Sequence, residues 1–213
     1  IIMLLEGIRD TLYMTLASTL FGYIIGLPMG IVLTVTDKDG IRPNAAVYKV
    51  LDVISNLLRS IPFIILLIVL IPFTRFVVGR SYGSTATIVP LTIAAAPYIA
   101  RMVESSLKEV DAGVIEAARS MGASDFQIVT KVMLVEARTS LIVGATISLG
   151  TILGYSAMAG TVGGGGLGDI AIRYGYTRWQ TDIMIVTVIL LIILFQIFQT
   201  VGMKLADKFD HRK

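Results

Sequence analysis

Apolar residues in this chain come in long unbroken runs rather than in alternation. The stretch Ile61-Pro62-Phe63-Ile64-Ile65-Leu66-Leu67-Ile68-Val69-Leu70 contains no polar position at all. A bilayer needs about 20 residues of helix to cross it. Five stretches reach or approach that length: 12–35, one centred on 61–73 that draws on the turns before it, 86–103, 141–158 and 183–205. Helices are the expected form, because a spanning backbone must satisfy its own hydrogen bonds. A barrel would require alternating polarity, which is missing here. The pattern predicts an all-α integral membrane protein with five transmembrane helices, one domain over 1–213, and a cytoplasmic loop at about 104–138.

Composition agrees. Of 213 residues, 55% are hydrophobic and 15% charged, against about 25% charged in soluble domains. Mean hydropathy is +0.81. Cysteine is absent, and the one histidine, His211, falls in a polar tail. No thiolate or multi-histidine metal site is therefore expected. No basic leader with a small-residue cleavage site is legible, so no removed signal peptide is expected. A chain that starts at Ile1 rather than Met is expected to lack a few leading residues.

The net charge of +3 reports topology, not nucleic-acid binding, since the basic residues form no single stripe. Lys38, Arg42 and Lys49, the segment from Arg101 to Arg138, and the run from Lys204 to Lys213 together hold twelve basic residues. The opposite set, Arg9, Arg75, Arg80, Arg173 and Arg178, holds five. Positive residues stay in the cytoplasm, so the C-terminus is expected inside and the N-terminus outside. Arg59 is left over, within the second span. A charge there is costly and defaults to a functional role such as a gating contact with a second subunit. The competing reading is a side chain that snorkels to the interface.

Gly22, Gly26 and Gly30 recur every four residues and share a helix face that lets another backbone approach closely. Packing within the chain, a dimer contact and a pore-lining face all fit. Pro28 in the same turn is expected to kink the span.

The loop between the third and fourth spans has internal order. Asp111 can cap a helix beginning near Ala112. Val114, Ala117, Ala118 and Met121 fall at i, i+3, i+4 and i+7 and predict one apolar face, with Glu116, Arg119 and Ser120 elsewhere. Gly122 supplies a stop. Ser124 and Gln127 match a capping box that starts a second helix toward Leu134. Such a helix could lie on lipid. Its small residues, Ala117, Ala118 and Gly122, suit insertion into a protein groove better.

Glu116-Ala117-Ala118, Gly122, Val132 and Leu134 resemble the EAA loop of ABC-importer permeases: Glu-Ala-Ala, three residues, Gly, nine residues, an aliphatic residue, one residue, Leu, Pro. Val135 departs from the pattern, standing where that family has Pro. The strings at 59–67, 71–75, 88–92, 95–104 and 154–158 are similar to the methionine-uptake permeases. The resemblance implies a type I importer permease fold in a bacterial inner membrane. It implies that Glu116, Ala117, Ala118, Arg119, Met121 and Gly122 form a coupling helix that docks on a cytoplasmic ATPase. Implied partners are a second copy of the chain, two ATPase subunits and an extracytoplasmic solute-binding lipoprotein. Implied transport is alternating access, with ATP and Mg used by the ATPase and no cofactor on this chain.

The run from Gly160 to Asp169 invites a phosphate-loop reading, which fails because no Lys-Ser or Lys-Thr follows. A flexible re-entrant turn remains, as does a backbone surface at the mouth of the path or against an external protein. Tyr155, Ser156 and Thr161 could offer polar groups to an amino-acid zwitterion. Met158 is either a soft gate or ordinary packing. An ion-coupled carrier would require buried acidic relays and inverted repeats. An intramembrane enzyme would require a zinc motif or paired aspartates. Neither pattern is legible.

Overall fold

The computed structural model describes residues 2–209; His211, Arg212 and Lys213 of the basic tail lie outside the described residues. The described chain is a succession of helices. They are α1 (Ile2–Thr36), α2 (Ala45–Ser60), α3 (Phe63–Val69), α4 (Ile71–Val78), α5 (Ser84–Lys108) and α6 (Ala112–Ser120). Then come α7 (Asp125–Gln127), a π-helical stretch (Ile128–Met133) and α8 (Leu134–Glu136). The chain closes with α9 (Arg138–Ala159), a 3-10 turn (Gly160–Val162), α10 (Gly166–Ile170), a second π-helical stretch (Ala171–Tyr176) and α11 (Thr181–Phe209). Among the described residues four helices are long and apolar enough to cross a membrane, or five if the bent pair α2–α3 counts as one.

The second expected span is thus not a single helix. Ile61 precedes Pro62, and a proline ring pushes the residue before it out of helical backbone. Ile61 sits at φ −82°, ψ 124°, and α2 ends there. The axes of α2 and α3 meet at 101°. Arg59, expected within an unbroken span, lies exposed in the last turn of α2 beside this break. Pro28 does not divide α1, which continues as one helix to Thr36.

The centre of the fold is the pair α1 and α5. Gly22, Gly26 and Gly30 are all buried in it. A Cβ on Gly26 would lie 2.6 Å from the Ala96 carbonyl oxygen, and one on Gly30 the same distance from that of Ala100. The glycine face therefore packs within the chain, and no room is left there for a second copy or a pore. Met14, Leu91, Ile99, Val103, Leu107, Ile128 and Ile152 fill the core around it. A smaller cluster of Leu153, Leu167 and Leu194 joins α9, α10 and α11. Much of α11 stays uncovered, including Ile185, Ile189, Ile192 and Ile193. Such a continuous apolar surface is at home against lipid or a partner, not water.

The glycine run is a tight hairpin. Gly163, Gly165 and Gly166 have φ of +79°, +83° and +74°, a region costly for other residues. A Cβ on Gly168 would come within 2.1 Å of the Ala157 carbonyl oxygen, so the returning α10 lies directly on the end of α9. The Leu167 N–H donates to Thr11 Oγ1 (2.9 Å) and the Gly83 N–H to the Gly163 carbonyl (2.9 Å). Gly164, Gly166 and Gly168 are buried. The segment is a packed seam against α1 and the start of α5, which corrects the expectation of a flexible turn and leaves those buried amides no free surface.

Candidate functional site

The short helix α6 forms as its local signals require. The Asp111 carboxylate accepts the Gly113 N–H at 2.7 Å. Gly122 takes φ +83°, and its N–H donates to the Arg119 carbonyl (2.9 Å). Ser124 and Gln127 form a reciprocal capping box. Beyond the capping box run α7, the π-helical stretch and α8, in place of one regular helix to Leu134.

The predicted apolar face of α6 is divided. Ala118 is buried, with Ile115 and Ala123 packed on the same core. Val114 is 41% exposed and Met121 83%, and Phe126 just beyond is 77% exposed. Ala117 and Glu116 are exposed too. One side of the helix is thus seated on the protein. The other presents Val114, Ala117 and Met121 with a carboxylate beside them. Arg119 is not free: its Nη2 donates to the Ile41 carbonyl at 2.9 Å, in the loop between α1 and α2.

Behind this helix lies a charge cluster that hydropathy reasoning missed. Lys108 Nζ is 2.6 Å from Asp37 Oδ2 and 2.8 Å from Glu104 Oε1. Glu104 Oε2 is 2.7 Å from Arg101 Nη1. Arg101 also pairs with Asp52 of α2 and donates to Asn56 Oδ1 (3.2 Å). The Tyr48 hydroxyl donates to Glu104 (3.3 Å). Glu104 is only 5% exposed, and each of its oxygens has a cationic partner, the arrangement that a buried carboxylate needs. The Lys108 ammonium, hydrogen-bonded to Asp37, holds that carboxyl below the usual carboxylate range, with Lys38 adding and partial burial opposing. The signal was present in sequence: Arg101, Glu104 and Lys108 stand at i, i+3 and i+7, one face of one helix.

The residues proposed for a path separate. Tyr155 is half-buried and stacks flat on Phe63 of α3, centroids 4.6 Å apart. Ser156 is 1% exposed, and its hydroxyl donates to the Leu153 carbonyl at 2.7 Å. It is a helix-internal bond, so Ser156 offers nothing to a solute. Met158 is 51% exposed, and Gly154 and Thr161 are exposed with it. These three, at i, i+4 and i+7, make one uncovered strip along the end of α9 and the following turn. The Thr161 hydroxyl donates to the Met158 carbonyl (2.8 Å).

Comparison with known proteins gives this arrangement a setting. Residues 22–212 match the family described as binding-protein-dependent transport system inner membrane component. The chain is 48% identical over 210 residues to the "Probable D-methionine transport system permease protein MetI" of Vibrio cholerae, covering 99% of this chain and 93% of that one. It is 54% identical over 158 residues to the D-methionine transport system permease protein MetI of Escherichia coli K12, covering 74% and 73%. A solved structure of the MetNI methionine ABC transporter in inward-facing conformations superposes with a TM-score of 0.97 at 49% identity, over 99% and 98% of the two chains. An amino acid ABC transporter with histidines, 20% identical with a TM-score of 0.73, shares the fold. With a family match over nearly its whole length, this chain belongs to the inner membrane components of binding-protein-dependent transport systems, the permease subunits of ABC importers, in which ATP hydrolysis belongs to a separate subunit.

Proposed function

We propose that this chain imports methionine, as one of two identical permease subunits that sit on two cytoplasmic ATPases and receive solute from an external binding protein. The observation that carries the proposal is α6, seated by Ala118 and Ile115 while Val114, Ala117, Glu116 and Met121 face outward. The surface is apolar, small-sided and edged by one carboxylate, which suits a groove in a protein. The substrate rests on relatives named for D-methionine transport. The N-terminus is outside and the C-terminus cytoplasmic, on the twelve-to-five distribution of basic residues.

In this reading ATP closes the ATPase pair, α6 moves with its groove, and the permease turns from inward- to outward-facing by rigid-body movement. Gly122 fixes where α6 stops. A Cβ there would touch nothing within 4 Å, so Gly122→Val acts through the left-handed backbone alone, at about 1–2 kcal/mol. Glu116→Lys reverses the one charge on the outward face. Each substitution should weaken ATPase co-purification and methionine uptake in membranes. Wild-type association and uptake in both variants would sink the assignment of α6.

A further inference from the structure

The loop 37–44 is fastened to the end of α1. The Asp37 N–H donates to the Leu33 carbonyl (3.1 Å), that of Arg42 to Val35 (3.0 Å) and that of Asn44 to Thr36 (2.9 Å). Gly40 lies so close that a Cβ would come within 2.5 Å of the Thr34 and Val35 carbonyl oxygens. The loop is mechanically an extension of α1. Arg119 reaches it from α6 through the Ile41 carbonyl, and Ile41 and Ile115 pack on the same core. Lys108 reaches it from α5 through Asp37.

From Lys108 the contacts continue through Glu104 and Arg101 to Asp52 on α2. Elsewhere α2 shows Val50, Ile54 and Leu57 uncovered. Apolar contact with lipid sets no direction, whereas a buried, fully paired carboxylate does, because any slip strands a charge. The far end of α2 turns by 101° into α3, whose first residue, Phe63, stacks on Tyr155. Tyr155 lies one turn before Met158 on α9.

We infer that the side-chain contacts from Arg119 through the loop of Ile41 and Asp37 to Lys108, Glu104, Arg101 and Asp52, carried on along α2 and its bend to the Phe63–Tyr155 stack, transmit movement of α6 to the uncovered strip of α9. Glu104 is a positioning residue: buried and paired entirely within this chain, it holds α2 in register with α5. The inference rests on α6 being the ATPase-docking helix, and the two can fail separately.

The test uses the permease assembled with its ATPase in lipid vesicles. Glu104→Gln keeps the shape and one of the two acceptor oxygens but removes the charge shared by Arg101 and Lys108. Lys108→Gln breaks the link at a side chain 43% exposed, where folding tolerates change. The native chain has no cysteine, so spin labels go in singly at Ser120→Cys, exposed at the end of α6 and off its docking face, and Leu57→Cys on α2, measured across the two copies with and without ATP. Expected in both variants is normal assembly, an unchanged ATP-driven shift at 120, a lost shift at 57, and ATP hydrolysed per methionine imported raised by about two- to thirtyfold. A retained shift at 57 with an unchanged ratio overturns the link. No shift at 120 in the unsubstituted network overturns the docking role of α6, and the link with it. Loss of assembly in both variants assigns the network to folding alone and also overturns it.

Discussion

Gly26, like Gly30, is a point where α1 and α5 come close to backbone contact. A Cβ would stand 2.6 Å from the Ala96 carbonyl oxygen and 2.9 Å from Ile99, and a carbonyl cannot rotate away as a side-chain end can. Gly26→Val should therefore cost about 1–3 kcal/mol by overpacking, read as a lower Tm of the purified protein in detergent. An unchanged Tm would contradict the close approach. The four-residue glycine spacing was legible in sequence, but its partner was not: a small-residue stripe reports a face and not which of several helices meets it. Asp37 gives a second test. Its carboxyl is held lower in the folded chain by Lys108 and Lys38, with Glu104 sharing Lys108. Its contribution to stability is accordingly present above the ordinary carboxylate value of about 3.9 and lost as pH falls through the lowered folded value. The Tm gap between wild type and Asp37→Asn should be steady near neutral pH and close under strong acid. A gap that widens with acid would reverse the sign and refute the pairing.

Elements were legible where local chemistry decides them and obscure where a distant segment does. Asp111, Gly122, Ser124 and Gln127 each adopt the capping or stopping role their types imply. The division of the α6 face was hidden, because the loop around Ile41 that covers one side lies more than seventy residues earlier in the chain. The break of the second span was concealed by averaging: the apolar run is continuous, and only the rule for the residue before Pro62 marks where it bends. The α9–α10 hairpin arises from packing as much as from turn preference. Gly168→Ala drives a Cβ to 2.1 Å from the Ala157 carbonyl oxygen, so α10 has to lift from α9. Gly154→Ala, on α9, meets nothing within 4 Å. The first should lower Tm and expression sharply and the second leave both near wild type. Equal behaviour of the pair would show that the seam is not closely packed.

At the scale of the whole molecule, the surface that a single chain leaves uncovered indicates what the assembly must close. Gly154, Met158 and Thr161 form such a strip at the end of α9, on the side of the membrane opposite α6 in the expected topology. In a twofold pair of permeases the two strips could face each other across the axis, and Met158 is the longest and most adaptable side chain in them. Met158 is 51% exposed, so its truncation empties little of the protein's own core. Met158→Ala should then leave yield and assembly intact while raising ATP hydrolysed per methionine imported, because a narrowing has been widened. Met158→Trp should block uptake with the ATPase still bound. Were Met158 only a packing residue, the alanine variant would lower yield and keep the ratio. Reconstituted vesicles measure both quantities in one preparation. A ratio unchanged in Met158→Ala, together with normal uptake by Met158→Trp, removes Met158 from the path and moves the constriction to other residues that line the dimer axis.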